Sequence, residues 1–261
     1  MKKTLIALAV AASAVVSGSA MAAWTPDFVG NGEVNLGGTL TPQDVVTPWE
    51  VQVGTNVNNL NANIQKGLSF VDVPVSTSIP FVGIRTKVSK AFAAGTGYNP
   101  NINYGNAVDL KTFVDGVTTL TLDVRDASDK KIGTLTAPFS AAGVMSWKAA
   151  DGQGGASGVW AINSNRMFDG GVSETPDGAS KQSDVLAKTI MPDIAEHFDS
   201  QGYTIEGISW SGTSTSGSTY SGYYAGGIAA GSSIRLKLDT AATGDEAITW
   251  KASMPITISY Q

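Results

Sequence analysis

The sequence predicts an all-β sandwich, and three observations carry that reading. Short runs rich in Val, Ile, Thr and Tyr alternate with polar residues at period two. Clusters of Gly, Asn, Asp and Pro separate the runs, as turns separate strands. Only one stretch has helical spacing instead. The 261 residues include no Cys, so neither a disulfide framework nor a thiolate metal site is available, and stability has to come from packing and strand pairing.

The chain opens with Lys2 and Lys3, an apolar run from Leu5 to Val16, and Ala20-Met21-Ala22, which matches the small-x-small cleavage rule. This predicts a signal peptide over residues 1–22. A signal-anchor helix is disfavoured because the apolar run is shorter than the roughly 20 residues that span a bilayer, and Ser17-Gly18-Ser19 follows it. No later stretch is apolar for long enough to span, so the expected product is exported, soluble and without a membrane span. Cleavage would leave 239 residues with 15 basic and 22 acidic side chains, a net charge of −7. That charge argues against nucleic acid or an anionic membrane as partner. A chain of this length is expected to bury one core as a single domain.

The predicted strands are Trp49 to Gly54, Leu68 to Val75, Phe81 to Val88, Leu120 to Asp126, Lys131 to Pro138, Ile205 to Trp210, Ser233 to Leu238 and Ala247 to Tyr260. Asp126-Ala127-Ser128-Asp129-Lys130 is polar and turn-forming, which predicts a hairpin. Between Ser180 and Phe198, Val185, Leu186, Ile190, Ile194 and Phe198 share a helical face, with Ser180 or Ser183 as cap and a kink, or two short helices meeting, at Pro192. The Gly- and Ser-rich stretches Asp151 to Gly158 and Ser211 to Gly222 read as exposed loops.

Both ends of the predicted mature chain carry long alternating runs. Phe28, Gly30, Gly32, Val34, Leu36, Gly38 and Leu40 occupy every second position, so one face is apolar or tiny. Thirteen extended residues reach about 43 Å, the full height of a sandwich. The glycines allow a partner backbone to approach closely. At the other end Met254, Ile256, Ile258 and Tyr260 alternate up to Gln261. By pattern, the two terminal strands either pair inside one finished sandwich or serve strand addition between chains.

The stretches Gly32-Glu33-Val34-Asn35-Leu36-Gly37-Gly38-Thr39-Leu40-Thr41, Trp49-Glu50, Gly83-Ile84-Arg85-Thr86-Lys87 and Lys131-Ile132-Gly133 carry a resemblance, joined by Gly227-Ile228-Ala229-Ala230-Gly231, Ile234, Trp250, Ala252 and Ile258-Ser259-Tyr260. In these the chain resembles the major subunits of chaperone/usher fimbriae of the kappa clade, the FaeG and ClpG type of enterotoxigenic Escherichia coli. The resemblance implies an incomplete immunoglobulin-like β-sandwich, the pilin fold, with a short helical insertion, completed by donor-strand exchange. It implies a donor-strand extension over residues 23–41 and a pilin domain over 42–261, with an inserted helical and loop region at about 149–226. Phe28, Gly32, Val34, Leu36, Gly38 and Leu40 become the donor strand, and Met254, Ile256, Ile258 and Tyr260 the edge that faces a chaperone. The implied partners are other copies of the chain, a periplasmic chaperone and an outer-membrane usher, and the implied location is a fimbrium on the bacterial surface. A minor subunit of the same fibre, or a monomeric secreted glycan-binding sandwich, are the alternative readings.

A glycan site needs aromatic faces beside amides or carboxylates. Trp160, Asn163, Asn165, Phe168, Asp169, Trp210, Tyr220, Tyr223 and Tyr224 lie in or beside Gly-rich segments and are the candidates for host carbohydrate. The competing reading is that the two Trp are core and the Tyr residues line a strand. Catalytic patterns fail: His197 is the single His, Gly207 to Gly217 contains no Gly-x-Ser-x-Gly, Gly152-x-Gly154 lacks its third Gly, and Asp126 to Asp129 lacks calcium-loop spacing. Asp193 and Glu196 read as a solvated helix face rather than a hydrolytic pair. No enzyme activity, cofactor or metal is expected.

Overall fold

The computed structural model describes residues 36–41, 46–210 and 212–261. The predicted leader lies outside the described residues, as do Phe28, Gly32 and Val34. A compact body runs over Val45–Gln261. Its strands are β1 (Trp49–Val53), β2 (Phe70–Pro74), β3 (Ile79–Thr86), β4 (Phe92–Ala93), β5 (Pro100–Asn103), β6 (Val117–Arg125), β7 (Lys131–Lys148), β8 (Gly154–Val159), β9 (Ile205–Ser209), β10 (Thr219–Ile228), β11 (Ser233–Leu238) and β12 (Thr257–Tyr260). Among the described residues one helix, α1 (Ser183–Ile190), and a 3₁₀ turn at Pro176–Gly178 complete the set. The fold is all-β, with open sheets that are antiparallel except for the parallel pair β8–β9, consistent with an immunoglobulin-like sandwich.

The architecture turns on β7. Residues 131–140 pair with β6, and residues 133–136 also with β11. Residues 140–148 pair with β10, and residues 144–148 also with β8. One strand of 18 residues thereby serves two sets of neighbours. Beyond β10 the order continues through β3 to β1, and beyond β11 to β2. Along β6, Leu120, Leu122 and Val124 alternate into the core while Thr119, Thr121 and Asp123 face solvent. The polar turn joining β6 to β7 is a hairpin as expected: the Asp126 carboxylate accepts from the backbone of Ser128 and Lys130 at 2.9 and 3.0 Å, and Asp129 takes φ +69°.

The two Gly- and Ser-rich stretches are exposed loops only in part: residues 151–153 and 214–217 are exposed outside any strand, but each stretch continues into a strand. Gly154 to Val159 form β8, and β10 begins at Thr219 and runs buried through the middle of the sheet. Small residues are required there because both faces of the sheet are covered. A Cβ on Gly158 would lie 2.4 Å from Ser183 Oγ, one on Gly222 2.8 Å from the Val144 carbonyl, and one on Gly227 2.3 Å from the Ile79 carbonyl. On β10, Tyr220, Tyr224 and Ile228 face the main core, while Tyr223 and Ala225 face a second cluster.

That second cluster is the helical region seated on the sheet. Ala187, Ile190, Met191 and Ile194 pack on Ala142, Val144, Tyr223 and Ala225. The helix ends at Ile190 because Met191, which precedes Pro192, is forced to an extended conformation (φ −140°, ψ 99°). Turns follow instead of a second helix. Neither serine caps α1 in the expected way: Gln182 occupies the cap position without a side-chain bond, and Ser183 Oγ donates back to the Ser180 carbonyl at 2.7 Å.

Arg85 on β3 ties this region to the sheet edge. Its Nε donates to Glu50 Oε1 at 2.6 Å, and its terminal nitrogen donates to the Asp193 carbonyl at 2.7 Å and to Glu196 at 3.3 Å. His197 Nδ1 lies 3.0 Å from both the Thr86 carbonyl and Glu50 Oε1, two acceptors, so that nitrogen carries the hydrogen. His197 and its acidic neighbours are thus a structural tie.

Two outcomes are expected. Gly227→Ala should lower stability by about 1–3 kcal/mol, read from the urea midpoint, because backbone lies where the methyl would sit. The bond from Arg85 holds the Glu50 carboxyl below the usual carboxylate range. A depressed carboxylate stabilises the fold above its unfolded value and loses that contribution as pH falls through the folded one. The stability gap between wild type and Arg85→Met should therefore be full near neutrality and shrink below about pH 4.3, in melts recorded across pH.

Candidate functional site

From Trp250 to Tyr260 the chain is extended, and Trp250, Ala252, Met254, Ile256, Ile258 and Tyr260 pack against the main core on one face. Residues 251, 253, 255, 257 and 259 face solvent. Pairing is sparse: Lys251 bridges Arg125, and β12 pairs antiparallel with β5, extended by reciprocal bonds of 3.1 Å between Asn99 and Gln261. Among the described residues β12 pairs with β5 alone, leaving its other edge without a backbone partner. Its inward side chains are also only half-buried, whereas Tyr224 on β10, flanked by β3 and β7, is withdrawn from solvent. Half-covered apolar side chains beside a backbone edge without a partner are a surface on which a further strand can pair.

Of the predicted N-terminal strand, Leu36, Gly38 and Leu40 are described. They have no regular secondary structure. Leu36 is 94 % and Leu40 97 % exposed, and a Cβ on Gly38 would meet nothing within 4 Å. Two large apolar side chains at alternate positions stand in solvent.

The nine aromatic and polar candidates separate sharply. Phe168, Tyr220, Tyr223 and Tyr224 are core residues and cannot stack on a sugar from solvent, which corrects the expectation drawn from their Gly-rich surroundings. Phe168 lies between Trp49, edge-on with centroids 5.6 Å apart, and Tyr224, stacked at 5.6 Å. Tyr104 and Tyr224 share a buried hydroxyl contact of 2.8 Å, and Tyr224 passes its hydrogen to the Gly171 carbonyl at 3.0 Å. Burial pushes both phenols well above the ordinary tyrosine value. Tyr223 donates to Asp184 on α1 at 2.5 Å.

The other five remain at or near the surface. Asn163 and Asn165 are exposed, Trp160 and Asp169 half-buried, and Trp210 is 48 % exposed. Asp169 lines a recess of about 310 Å³ with Asn101, Asn103 and Ser259, and burial, followed by repulsion from Glu174, raises its carboxyl above the usual range. Sequence reasoning missed Arg166, whose guanidinium lies 3.4 Å above the Trp210 ring. Its signal was present in composition: it is one of four arginines in an acidic chain and sits inside the Asn163 to Asp169 run.

The loop from Asn163 to Gly170 is fastened to the C-terminal edge. Asn99 Nδ2 donates to the Asn165 carbonyl at 3.3 Å, and Asn101 Nδ2 to the Ser164 carbonyl at 3.2 Å. The Phe168 amide donates to Pro100 at 2.7 Å and the Ile102 amide to Asp169 at 2.8 Å. Phe168 adopts φ +64°, a conformation that costs an aromatic residue about 1–3 kcal/mol. Relieving it with Phe168→Gly should still destabilise the fold, by about 3 kcal/mol or more, because the lost ring leaves a cavity between Trp49 and Tyr224. A thermal melt with a near-ultraviolet aromatic spectrum checks this.

Comparison with known proteins adds a family and three relatives. The chain matches the K88 fimbrial family, described as "Fimbrial, major and minor subunit", over residues 1–261. It is 30 % identical over 296 aligned residues to K88 fimbrial protein AB of Escherichia coli, covering all of both chains. It is 30 % identical over 295 residues to K88 fimbrial protein AD and 29 % identical over 290 to F41 fimbrial protein, both of Escherichia coli and both covered in full.

Proposed function

Because this chain belongs to the K88 family of fimbrial major and minor subunits, we propose that it builds its fibre by donor-strand exchange. It is a fimbrial structural subunit, assembling with copies of itself into a fibre on the bacterial surface. In the proposed exchange, Phe28, Gly32, Val34, Leu36, Gly38 and Leu40 of one subunit run alongside β12 of the next. The half-covered face of Met254, Ile256, Ile258 and Tyr260 beside an edge with no backbone partner among the described residues supports this reading most directly. The exposure of Leu36 and Leu40 is its counterpart, since side chains at alternate positions set register in an added strand.

The same edge is proposed to be held by a periplasmic chaperone before an outer-membrane usher passes the subunit on. Residues 1–22 are assigned as the leader and 23–41 as the extension. The fibre is further proposed to adhere to host-cell glycans or glycoproteins through the loop that carries Asn163, Asn165 and Trp210. The role is structural and adhesive, and no catalytic step is assigned to it.

Deleting residues 28–40 should abolish fibres while leaving a chaperone-bound subunit in the periplasm, because the acceptor edge survives and the donor does not. Electron microscopy and a pull-down on the chaperone report the two halves, and normal fibres would refute the assignment. Tyr260→Ala should reduce the periplasmic level of the subunit several-fold on immunoblots, with unchanged yield counting against chaperone capture at this edge.

A further inference from the structure

We propose that Arg166 and Trp210 form the recognition point for an acidic sugar, one carrying a carboxylate or a sulfate ester. The inference rests on the adhesive reading and names the ligand chemistry of that loop. Three of the four arginines are neutralised: Arg85 by Glu50 and Glu196, Arg125 by Asp123, Arg235 by Asp72. Arg166 has no carboxylate within salt-bridge distance among the described residues, although Asp169 follows three residues later and acidic residues outnumber basic ones, 22 to 17. Its Nε is closed off from solvent and bonds to no acceptor. A half-buried guanidinium without a counter-ion is costly, so its retention calls for a partner from outside.

The geometry states what that partner is. The guanidinium lies 3.4 Å over the Trp210 ring, and being planar it carries its remaining donors in one plane. That fork matches two oxygens of a carboxylate or sulfate. Trp210 is 48 % exposed and offers apolar surface to a sugar ring, and the exposed amides of Asn163 and Asn165 are suited to hydroxyls. An acidic side chain of another protein would use the fork but neither of these.

The site is also preorganised. The Asn163 side chain accepts from the Asn165 amide at 3.1 Å, closing the turn, and the Asn163 carbonyl accepts from the Arg166 amide at 3.0 Å. Asn99 and Asn101 bind the same turn from beneath, and buried Phe168, at φ +64°, fixes its far end. Backbone strain persisting beside an unpaired cation is the pattern of a ligand clamp.

Purified fimbriae are tested on surfaces bearing 3′-sialyllactose, galactose 3-sulfate or lactose. At least one acidic probe should bind about tenfold or more tighter than lactose, with binding that weakens as salt rises; which one separates carboxylate from sulfate as the natural group. Arg166→Gln should cut that binding about 10- to 100-fold, as expected for a charge-assisted bond, and Arg166→Lys should restore only part because it lacks the fork. Equal binding of lactose and the acidic probes, or an acidic preference that survives Arg166→Gln, overturns the inference. Binding of lactose alone leaves adhesion standing and removes this proposal; binding of no glycan removes both. An Arg166→Gln effect on fibre assembly with no glycan bound assigns the arginine to a protein carboxylate and refutes the sugar. If the variant does not assemble, wild-type fibres decide, since free 3′-sialyllactose or galactose 3-sulfate must outcompete lactose at least tenfold.

Discussion

Backbone pairing along β7 is the constraint on which the body depends. An 18-residue strand bonded first to β6 and β11, then to β10 and β8, places two sets of strands around one core. Its composition follows from that double service. In the first half one face is buried, so Leu135, Ala137 and Phe139 alternate with Thr and Pro. In the second half α1 covers the other face as well, and the residues become Ala141, Ala142, Gly143, Val144 and Met145, buried without alternation. Bulk at Gly143 would strike Val159 and Phe168. Cys-free stability comes from this packing on both sides of one long strand.

The C-terminal edge is the place where the same economy fails to close. A strand flanked on both sides satisfies its backbone and shields its inward side chains together; β12, flanked by β5 alone among the described residues, does neither fully. In a protein that remained alone, such an edge would be an aggregation hazard. In the proposed strand exchange it becomes an acceptor, and the hazard becomes the mode of assembly. Alternation from Trp250 to Tyr260 sets which side chains an added strand would meet.

The surface loop and the C-terminal edge are mechanically one unit. Asn99 bonds both Gln261 and Asn165, and β5 lies between β12 and the loop that holds Arg166. The C-terminal edge and the loop that carries Arg166 therefore share a support of hydrogen bonds through β5. The second tie, from Arg85 to Glu50, Glu196 and the Asp193 carbonyl, holds the helical region over the opposite sheet face. It fixes the cover without contributing to the C-terminal edge.

Period-two alternation was enough to place β1, β6, β11 and the β6–β7 hairpin, because a half-buried strand writes its two faces into the sequence. Residue identities at both ends also carried the family. The fate of the aromatic candidates was decided only by tertiary structure. Tyr220, Tyr223 and Tyr224 sit among glycines, and glycine between aromatics means an exposed loop or a strand buried on both faces with equal ease; the covering helix selects the second. The same ambiguity hid β8 and the start of β10. Arg166 stood out in composition, but its standing as an unpaired cation depends on where every carboxylate lies in space. Pattern determined which faces are apolar, and only packing determined which of them are covered.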